Sequence, residues 1–188
     1  MKKITIIGTG YVGLVSGAGL AEFGHNVSCV DIDQEKIKNL NNGQIPIHEP
    51  GLDRIVKNNI REGRLTFSSN IEKNIQEAKI IFIAVGTPQD EKGIADLTAV
   101  KSVVTLIADN LNNYKIICTK STVPVGTGKW IESEIKSRAS NDNFDYVSNP
   151  EFLREGAAVN DFLYPDRIVI GSLSEKAYSE MREIYRPL

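Results

Sequence analysis

The chain has 188 residues, of which 41% are hydrophobic and 24% charged, a composition typical of a folded domain large enough to bury a core. Its 22 basic and 24 acidic residues nearly balance, and the net charge of −2 argues against a surface for nucleic acid or an anionic membrane. Two cysteines, Cys29 and Cys118, cannot form a disulfide framework, and they indicate buried thiols in a reducing compartment.

The first residues have the outline of a signal peptide, because Lys2 and Lys3 precede an uncharged stretch at 4–21. Glycines within that stretch lower its hydrophobicity and its helix propensity well below those of a membrane span. They are Gly8, Gly10, Gly13, Gly17 and Gly19. We therefore expect a cytoplasmic protein without a targeting segment or a membrane partner.

Short β-branched runs alternate with helical stretches along the chain. Strands are predicted at 3–7, 26–31, 65–68, 80–85, 115–119, 144–147 and 167–170, and helices at 11–24, 33–42, 52–60, 97–111 and 126–139. Capping boxes predict two more helices, one opened by Ser69 with Glu72 and a final one opened by Ser172 with Glu175. This alternation predicts an α/β fold with a doubly wound, mainly parallel sheet and helices on both faces.

A glycine motif, Gly8-Thr9-Gly10-Tyr11-Val12-Gly13, connects the first strand to the first helix. In that context it is the dinucleotide fingerprint of a Rossmann-like domain. Gly8 allows the tight turn, Gly10 lets the backbone approach a pyrophosphate, and Gly13 lets the helix pack closely on the strand. The alternative is a tight turn without a ligand.

Asp31 ends the second predicted strand, where a carboxylate accepts the ribose hydroxyls and repels a 2′-phosphate. The sequence therefore predicts NAD rather than NADP. Lys36 follows on the next helix and lies either beside the same ribose or in solvent.

Polar loops follow the other predicted strands, and in a doubly wound sheet they share one edge. The hydroxyls of Thr87 and Thr122 could bond the nicotinamide-side ribose or a substrate water, or each could cap the next helix. Glu151 and Glu155 are spaced for one face of a helix, where like charges would raise one pKa and suit acid–base work. Arg154 could instead neutralise one of them. The two histidines show no metal-ligand spacing, so no metal is predicted.

Five motifs in order resemble the UDP-glucose/GDP-mannose dehydrogenase family over the whole chain. They are 8–13, 46–52, 85–88, 121–128 and 149–156, the last reading Asn-Pro-Glu-Phe-Leu-Arg-Glu-Gly. The resemblance implies an NAD-dependent four-electron oxidation of UDP-glucose to UDP-glucuronate, through a thiohemiacetal and a thioester on a cysteine. GDP-mannose or another nucleotide sugar is the alternative substrate.

The resemblance also implies roles for individual residues. Besides the motif residues Gly8, Gly10, Tyr11 and Gly13, the NAD contacts correspond to Val12, Asp31, Lys36, Thr87, Thr122 and Glu155. Substrate contacts correspond to Glu151, Phe152, Leu153, Arg154 and Glu155. Thr122, Glu151 and Glu155 correspond to catalytic residues, the first two near the water used in proton transfer and hydrolysis.

In one respect the sequence departs from the family pattern. The family's central helix, its UDP-binding domain and its nucleophilic cysteine would follow residue 188, so residues 1–188 correspond to the NAD-binding domain alone. We therefore expect this chain by itself to be inactive, and the full-length family enzyme to be a homodimer. A non-catalytic NAD-binding module is the alternative function.

Overall fold

The structure, a computed structural model, describes residues 1–139 and 142–188. Its strands are β1 (Lys3–Ile7), β2 (Asn26–Val30), β3 (Leu65–Ser68), β4 (Ile80–Ile83), β5 (Lys115–Thr119), β6 (Phe144–Ser148) and β7 (Gly171–Ser172). Its helices are α1 (Tyr11–Glu22), α2 (Gln34–Asn41), α3 (Leu52–Arg61), α4 (Ile71–Glu77), α5 (Thr98–Asp109), α6 (Thr127–Arg138), α7 (Ala158–Leu163) and α8 (Glu175–Ile184).

The strands form one sheet in the order β3-β2-β1-β4-β5-β6-β7. Strands β1 to β6 run parallel, and β7 pairs antiparallel with β6 at the edge. The chain builds outward from β1 to β3 and then returns to β4 on the other side of β1, so the strand order reverses between β1 and β4. The predicted doubly wound, mainly parallel sheet is confirmed, and the reversal is where such sheets bind ligands.

The central strands are buried on both faces, and their side chains alternate between two apolar layers. On one face, Ile6 and Phe82 pack with residues of α1, α3, α7 and α8. On the other face, Ile81 and Ile117 pack with residues of α4, α5 and α6. A strand covered on both faces has no solvent side, which is why the run at 80–83 is apolar at every position.

Helix α1 packs closely because two of its glycines lack a side chain. A Cβ on Gly17 would lie 2.3 Å from Sγ of Cys29, and one on Gly19 would lie 2.2 Å from the ring of Phe162. Phe162 of α7 also stacks on Phe23, with ring centroids 5.7 Å apart. Two of the five glycines that argue against a membrane span therefore serve helix packing. In the part of the chain that the structure describes, no helix is both long and apolar enough to cross a membrane.

The strand predicted at 167–170 is wrong, and the two-residue β7 forms the edge instead. Ile168 and Ile170 do pack on the core while Val169 is exposed, so the alternation of side chains is real. The carbonyl of Val169, however, accepts a hydrogen bond from Nδ2 of Asn149 at 2.7 Å. A side chain satisfies this backbone group, and the apolar pattern does not record such a partner.

Both capping boxes are also placed wrongly. The side chain of Asn70, not Ser69, caps α4, and the hydroxyl of Ser174, not Ser172, caps α8. Asn and Ser are equally good caps, so the exit of the chain from the preceding segment decides which residue takes the position. Asp33, the first residue of the helix predicted at 33–42, is the N-cap of α2, and its side chain accepts the N–H of Lys36.

Candidate functional site

The loop from β1 to α1 requires glycine at two positions for steric reasons. Gly8 has φ +103°, and a Cβ there would lie 2.7 Å from the carbonyl oxygen of Ala84 on the neighbouring chain segment. A Cβ on Gly13 would lie 1.9 Å from the carbonyl oxygen of Gly8. Larger residues at either position would displace backbone, so these two glycines fix the turn and the seat of α1.

Gly10 has a different environment, because no protein atom lies within 4 Å of the position its Cβ would take. It is the N-cap of α1, where no side chain caps the helix and no acidic residue lies in the first turn. The N-terminal N–H groups and the helix dipole therefore present partial positive charge beside open space. This arrangement fits a phosphate group.

Asp31 follows β2, and the glycine loop holds its carboxylate. The backbone N–H and the hydroxyl of Thr9 both donate to Oδ2, at 2.8 and 2.7 Å, while the N–H of Asp33 donates to Oδ1 at 3.2 Å. Nζ of Lys36 lies 3.4 Å from Oδ2, so the lysine is beside Asp31. Burial acts to raise the pKa of Asp31, but the bonds from Thr9 and Asp33 and the charge of Lys36 outweigh it and lower that pKa. The carboxylate is therefore ionised and oriented in advance.

The loops after β4 and β5 meet at Thr87 and Thr122. The hydroxyl of Thr87 donates to the carbonyl oxygen of Thr122 at 2.8 Å, which ties the two loops together. Thr122 is exposed at this edge. The alternative that these threonines cap helices is wrong, because Leu97 is the N-cap of α5 and Gly126 is the N-cap of α6.

The segment after β6 carries Glu151 and Glu155 outside any helix, since α7 begins only at Ala158. Oε2 of Glu151 accepts the N–H of Leu153 at 2.5 Å, which fixes a local turn. Leu153 packs against the core, and Glu155 is exposed. The expectation that both carboxylates share one helix face is therefore wrong, and with it the reason given for a raised pKa.

Arg154 neutralises neither of these glutamates. Its Nη2 and Nε donate to Oδ1 and Oδ2 of Asp161, at 2.6 and 3.1 Å, and this ion pair lowers the pKa of Asp161 to about 2. The ring of Phe152, just before, is 53% exposed at the same edge. The segment thus presents an aromatic ring together with carboxylates, while its one guanidinium is already paired.

A buried cation lies beneath this segment. Nζ of Lys120 donates to Oδ1 of Asn149 at 3.3 Å, and the same oxygen accepts the hydroxyl of Tyr185 at 2.7 Å. Burial lowers the pKa of Lys120 to about 8. A narrow cleft opens here, between Lys120, Glu151 and Phe152. In the sequence, Lys120 simply follows the strand predicted at 115–119, and nothing in that pattern indicates that its side chain is buried.

Glu49 is a second residue whose position the sequence did not reveal. It lies in the loop between α2 and α3, is only 6% exposed, and contacts both the glycine loop and the segment before α7. The available signal was one carboxylate between Pro46 and Pro50 in a loop without other charged residues.

The described part of the chain holds neither a candidate metal site nor a reactive thiol. Across residues 1–139 and 142–188, no group of three or more His, Cys, Asp or Glu side chains could hold a metal ion. Cys29 and Cys118 are fully buried, and burial raises the pKa of each thiol to about 12. Neither thiol is a nucleophile in this environment.

An open, uncapped helix N-terminus at the start of α1 and an ionised carboxylate at the end of β2 are the features by which a doubly wound sheet binds a dinucleotide. The domain is therefore a dinucleotide-binding domain of the Rossmann type. Comparison with known proteins specifies it further. The sequence profile of the UDP-glucose/GDP-mannose dehydrogenase family, NAD binding domain, matches residues 2–188. The chain belongs to this family, and its cofactor is NAD.

Individual relatives agree with this assignment. UDP-glucose 6-dehydrogenase TuaD of Bacillus subtilis (strain 168) is 53% identical over 188 residues, which are all of this chain and 41% of TuaD. The solved structure of a UDP-glucose dehydrogenase from Pyrobaculum islandicum has a TM-score of 0.95 at 36% identity, covering 99% of this chain and 44% of the other. A GDP-mannose dehydrogenase from Pseudomonas aeruginosa also has a TM-score of 0.95, at 34% identity and the same coverage. The chain spans less than half the length of each of these relatives.

Proposed function

We propose that this chain supplies the NAD-binding domain of a UDP-glucose 6-dehydrogenase, which oxidises the C6 alcohol of UDP-glucose to the carboxylate of UDP-glucuronate. The observation that carries the proposal is the 53% identity to TuaD along the entire chain. The fold alone does not choose the substrate, because a UDP-glucose and a GDP-mannose dehydrogenase superpose equally well. Sequence identity favours UDP-glucose.

The residues of the glycine loop and of β2 would hold the cofactor. Residues 8–13 would bind the pyrophosphate, Gly10 by leaving space and the start of α1 by its N–H groups. Asp31 would accept the ribose hydroxyls, with Lys36 beside it. Bound NAD would supply the hydride acceptor for both oxidation steps. The fixed negative charge of Asp31 would exclude the 2′-phosphate of NADP.

The residues beyond β4, β5 and β6 would act on the substrate side. Thr87 would hold the loop that carries Thr122 in place, and the hydroxyl of Thr122 would orient a water. Glu151 would move protons, because the N–H of Leu153 engages only its Oε2 and leaves Oε1 available. Glu155 would lie beside the nicotinamide.

Substrate contacts from this segment would come from its backbone and from Phe152 and Leu153. We assign no salt bridge between substrate and Arg154, because Asp161 already pairs with its guanidinium. The nucleophilic thiol and most contacts to uridine diphosphate would lie outside residues 1–188, since Cys29 and Cys118 are buried. A homodimer and a cytoplasmic location stay predictions from the sequence.

A chimera tests this proposal directly. This chain replaces the matching first part of TuaD, whose remaining part supplies the rest of an enzyme. We expect the chimera to reduce NAD with UDP-glucose as substrate. Glu151→Gln should slow turnover by about 10²–10⁴-fold, the contribution typical of acid–base groups, while NADH affinity stays the same. Glu72→Gln, on the exposed face of α4, is the matched control.

Two outcomes would contradict the proposal. A chimera that folds and binds NADH but oxidises no nucleotide sugar would show that this chain is not a catalytic cofactor domain. Turnover that Glu151→Gln leaves unchanged would show that the role of Glu151 is assigned wrongly.

A further inference from the structure

Glu49 is a buried carboxylate with three hydrogen-bond donors. Its Oε1 accepts the hydroxyl of Tyr11 at 2.8 Å and the N–H of Gly156 at 2.6 Å, and its Oε2 accepts the N–H of Ala158 at 3.1 Å. A carboxylate that is only 6% exposed needs such partners, because an unpaired buried charge is strongly unfavourable. The loop at 45–51 is thereby fixed to two distant parts of the chain.

These partners lie on the two loops that bound the candidate site. Tyr11 is the first residue of α1, directly after Gly10. Gly156 directly follows Glu155 and has φ +83°. One oxygen, Oε1 of Glu49, accepts from both Tyr11 and Gly156, so a shift of either loop moves the acceptor of the other.

The charges at this junction keep these bonds in place. Burial acts to raise the pKa of Glu49, but the bonds from Gly156, Tyr11 and Ala158 outweigh it and lower that pKa. Burial and the bond to Glu49 raise the pKa of Tyr11, so its hydroxyl remains a donor. The carboxylate stays ionised and the phenol stays protonated at neutral pH.

We propose that Glu49 is a positioning residue that couples the pyrophosphate loop to the nicotinamide-side segment, by holding Tyr11 and Gly156 on one oxygen. The inference rests on the proposed function, because it requires Glu155 to lie on the nicotinamide side of the bound cofactor. The simpler alternative is that Glu49 only caps the start of α7 through Gly156 and Ala158. In that case the Tyr11 hydroxyl would be dispensable for cofactor binding.

The test compares two probes, NADH and ADP-ribose, which share the adenine side but differ in the nicotinamide. Calorimetric titration of the chain measures both. Tyr11→Phe removes the coupling hydroxyl and leaves the bonds from Gly156 and Ala158 in place. We expect it to weaken NADH binding by about tenfold, the effect of losing a bond to a charged group, and ADP-ribose binding by less than about twofold.

Two further variants sharpen the test. Glu49→Ala removes the shared acceptor and should weaken NADH more than ADP-ribose. Adding Tyr11→Phe to it should weaken NADH no further, because the bond between these two side chains is already lost. Tyr178→Phe, on α8 and 39% exposed, is the matched control and should bind both probes as the unmodified chain does. If Glu49→Ala does not fold, Tyr11→Phe still decides the question.

The results that would overturn this inference differ from the result that would overturn the proposed function. Equal loss of both probes in Tyr11→Phe, or loss of neither, would overturn the coupling role of Glu49. Additive effects in the double variant would overturn it as well. An unmodified chain that binds neither probe would overturn the proposed function itself.

Discussion

Thr9 and Asp31, at the ends of β1 and β2, share two hydrogen bonds to one carboxylate oxygen. Thr9 is a variable position of the glycine motif, so the motif fixes the carboxylate of Asp31 as well as making a turn. Oδ2 is thereby engaged, and Oδ1, which accepts only the 3.2 Å bond from Asp33, keeps capacity for a ribose hydroxyl. The selectivity for NAD therefore depends on a carboxylate that is ionised and oriented before the cofactor binds.

Asp31→Ala should relax the preference for NADH over NADPH. Removing a charged hydrogen-bond partner should weaken NADH binding by about 1–3 kcal/mol. NADPH binding should weaken less, because its 2′-phosphate no longer meets a like charge. Titration of each cofactor into the variant measures the ratio of the dissociation constants of NADPH and NADH. Asp53→Ala, on the exposed side of α3, serves as control. An unchanged NADH-to-NADPH ratio in Asp31→Ala would refute the role given to this carboxylate.

Gly10→Val should abolish NADH binding and leave the fold intact. No protein atom lies within 4 Å of the new Cβ, so the side chain would occupy only the space assigned to the pyrophosphate. Gly13→Val should instead unfold the chain, because its Cβ would lie 1.9 Å from a backbone oxygen. Circular dichroism and NADH titration separate the two effects. If Gly10→Val binds NADH normally, the loop is only a turn.

The order of elements and the glycine site were predictable because each depends on local information. Short runs rich in β-branched and apolar residues gave β1, β3 and β5 with their observed bounds, because such runs are recognisable within one segment. The motif at 8–13 depends on contacts within one strand–turn–helix unit. Asp33 as the cap of α2 is equally local.

Other features depend on contacts between different segments of the chain, and these were not predictable. Asn149 bonds the backbone of Val169, which removes the strand predicted there. Arg154 finds Asp161 on α7, a six-residue helix too short to give a periodic signal. Burial of Glu49 depends on a partner 107 residues away. No pattern within one segment records such pairings.

Lys120 should make stability rise with pH in alkaline solution. Its pKa is about 8 in the folded chain against an ordinary 10.5, so between these values the unfolded chain binds more protons. The free energy of unfolding therefore gains from Lys120 as pH rises through that window, by on the order of 1–3 kcal/mol. Cys118, whose pKa is raised to about 12, acts in the opposite direction above its ordinary pKa.

Lys120→Met removes the titrating amine and keeps both cysteines, and it also removes the charge that lowers the pKa of Cys118. Denaturant unfolding at a series of pH values measures the free energy of unfolding of both chains. Between about pH 8 and 10.5, that free energy should rise in the unmodified chain relative to the variant. A difference that does not change with pH would mean that Lys120 is not perturbed by burial.

The chain alone should form no UDP-glucuronate. The second oxidation requires a nucleophile, and both thiols of the chain are buried. Contacts to the remote diphosphate normally position the reacting carbon, and their loss lowers the rate as well as the affinity. NADH absorbance with UDP-glucose and NAD measures this. Turnover of about 1 per second or more, an enzyme-like rate, would show that the rest of the relatives' chain is dispensable.

The most direct test of the account is a calorimetric titration of the unmodified chain with NADH and, separately, with NADPH. We expect a single class of NADH site and clearly weaker binding of NADPH, because the ionised Asp31 repels the added phosphate. Absence of NADH binding, or NADPH binding as tight as that of NADH, would contradict it.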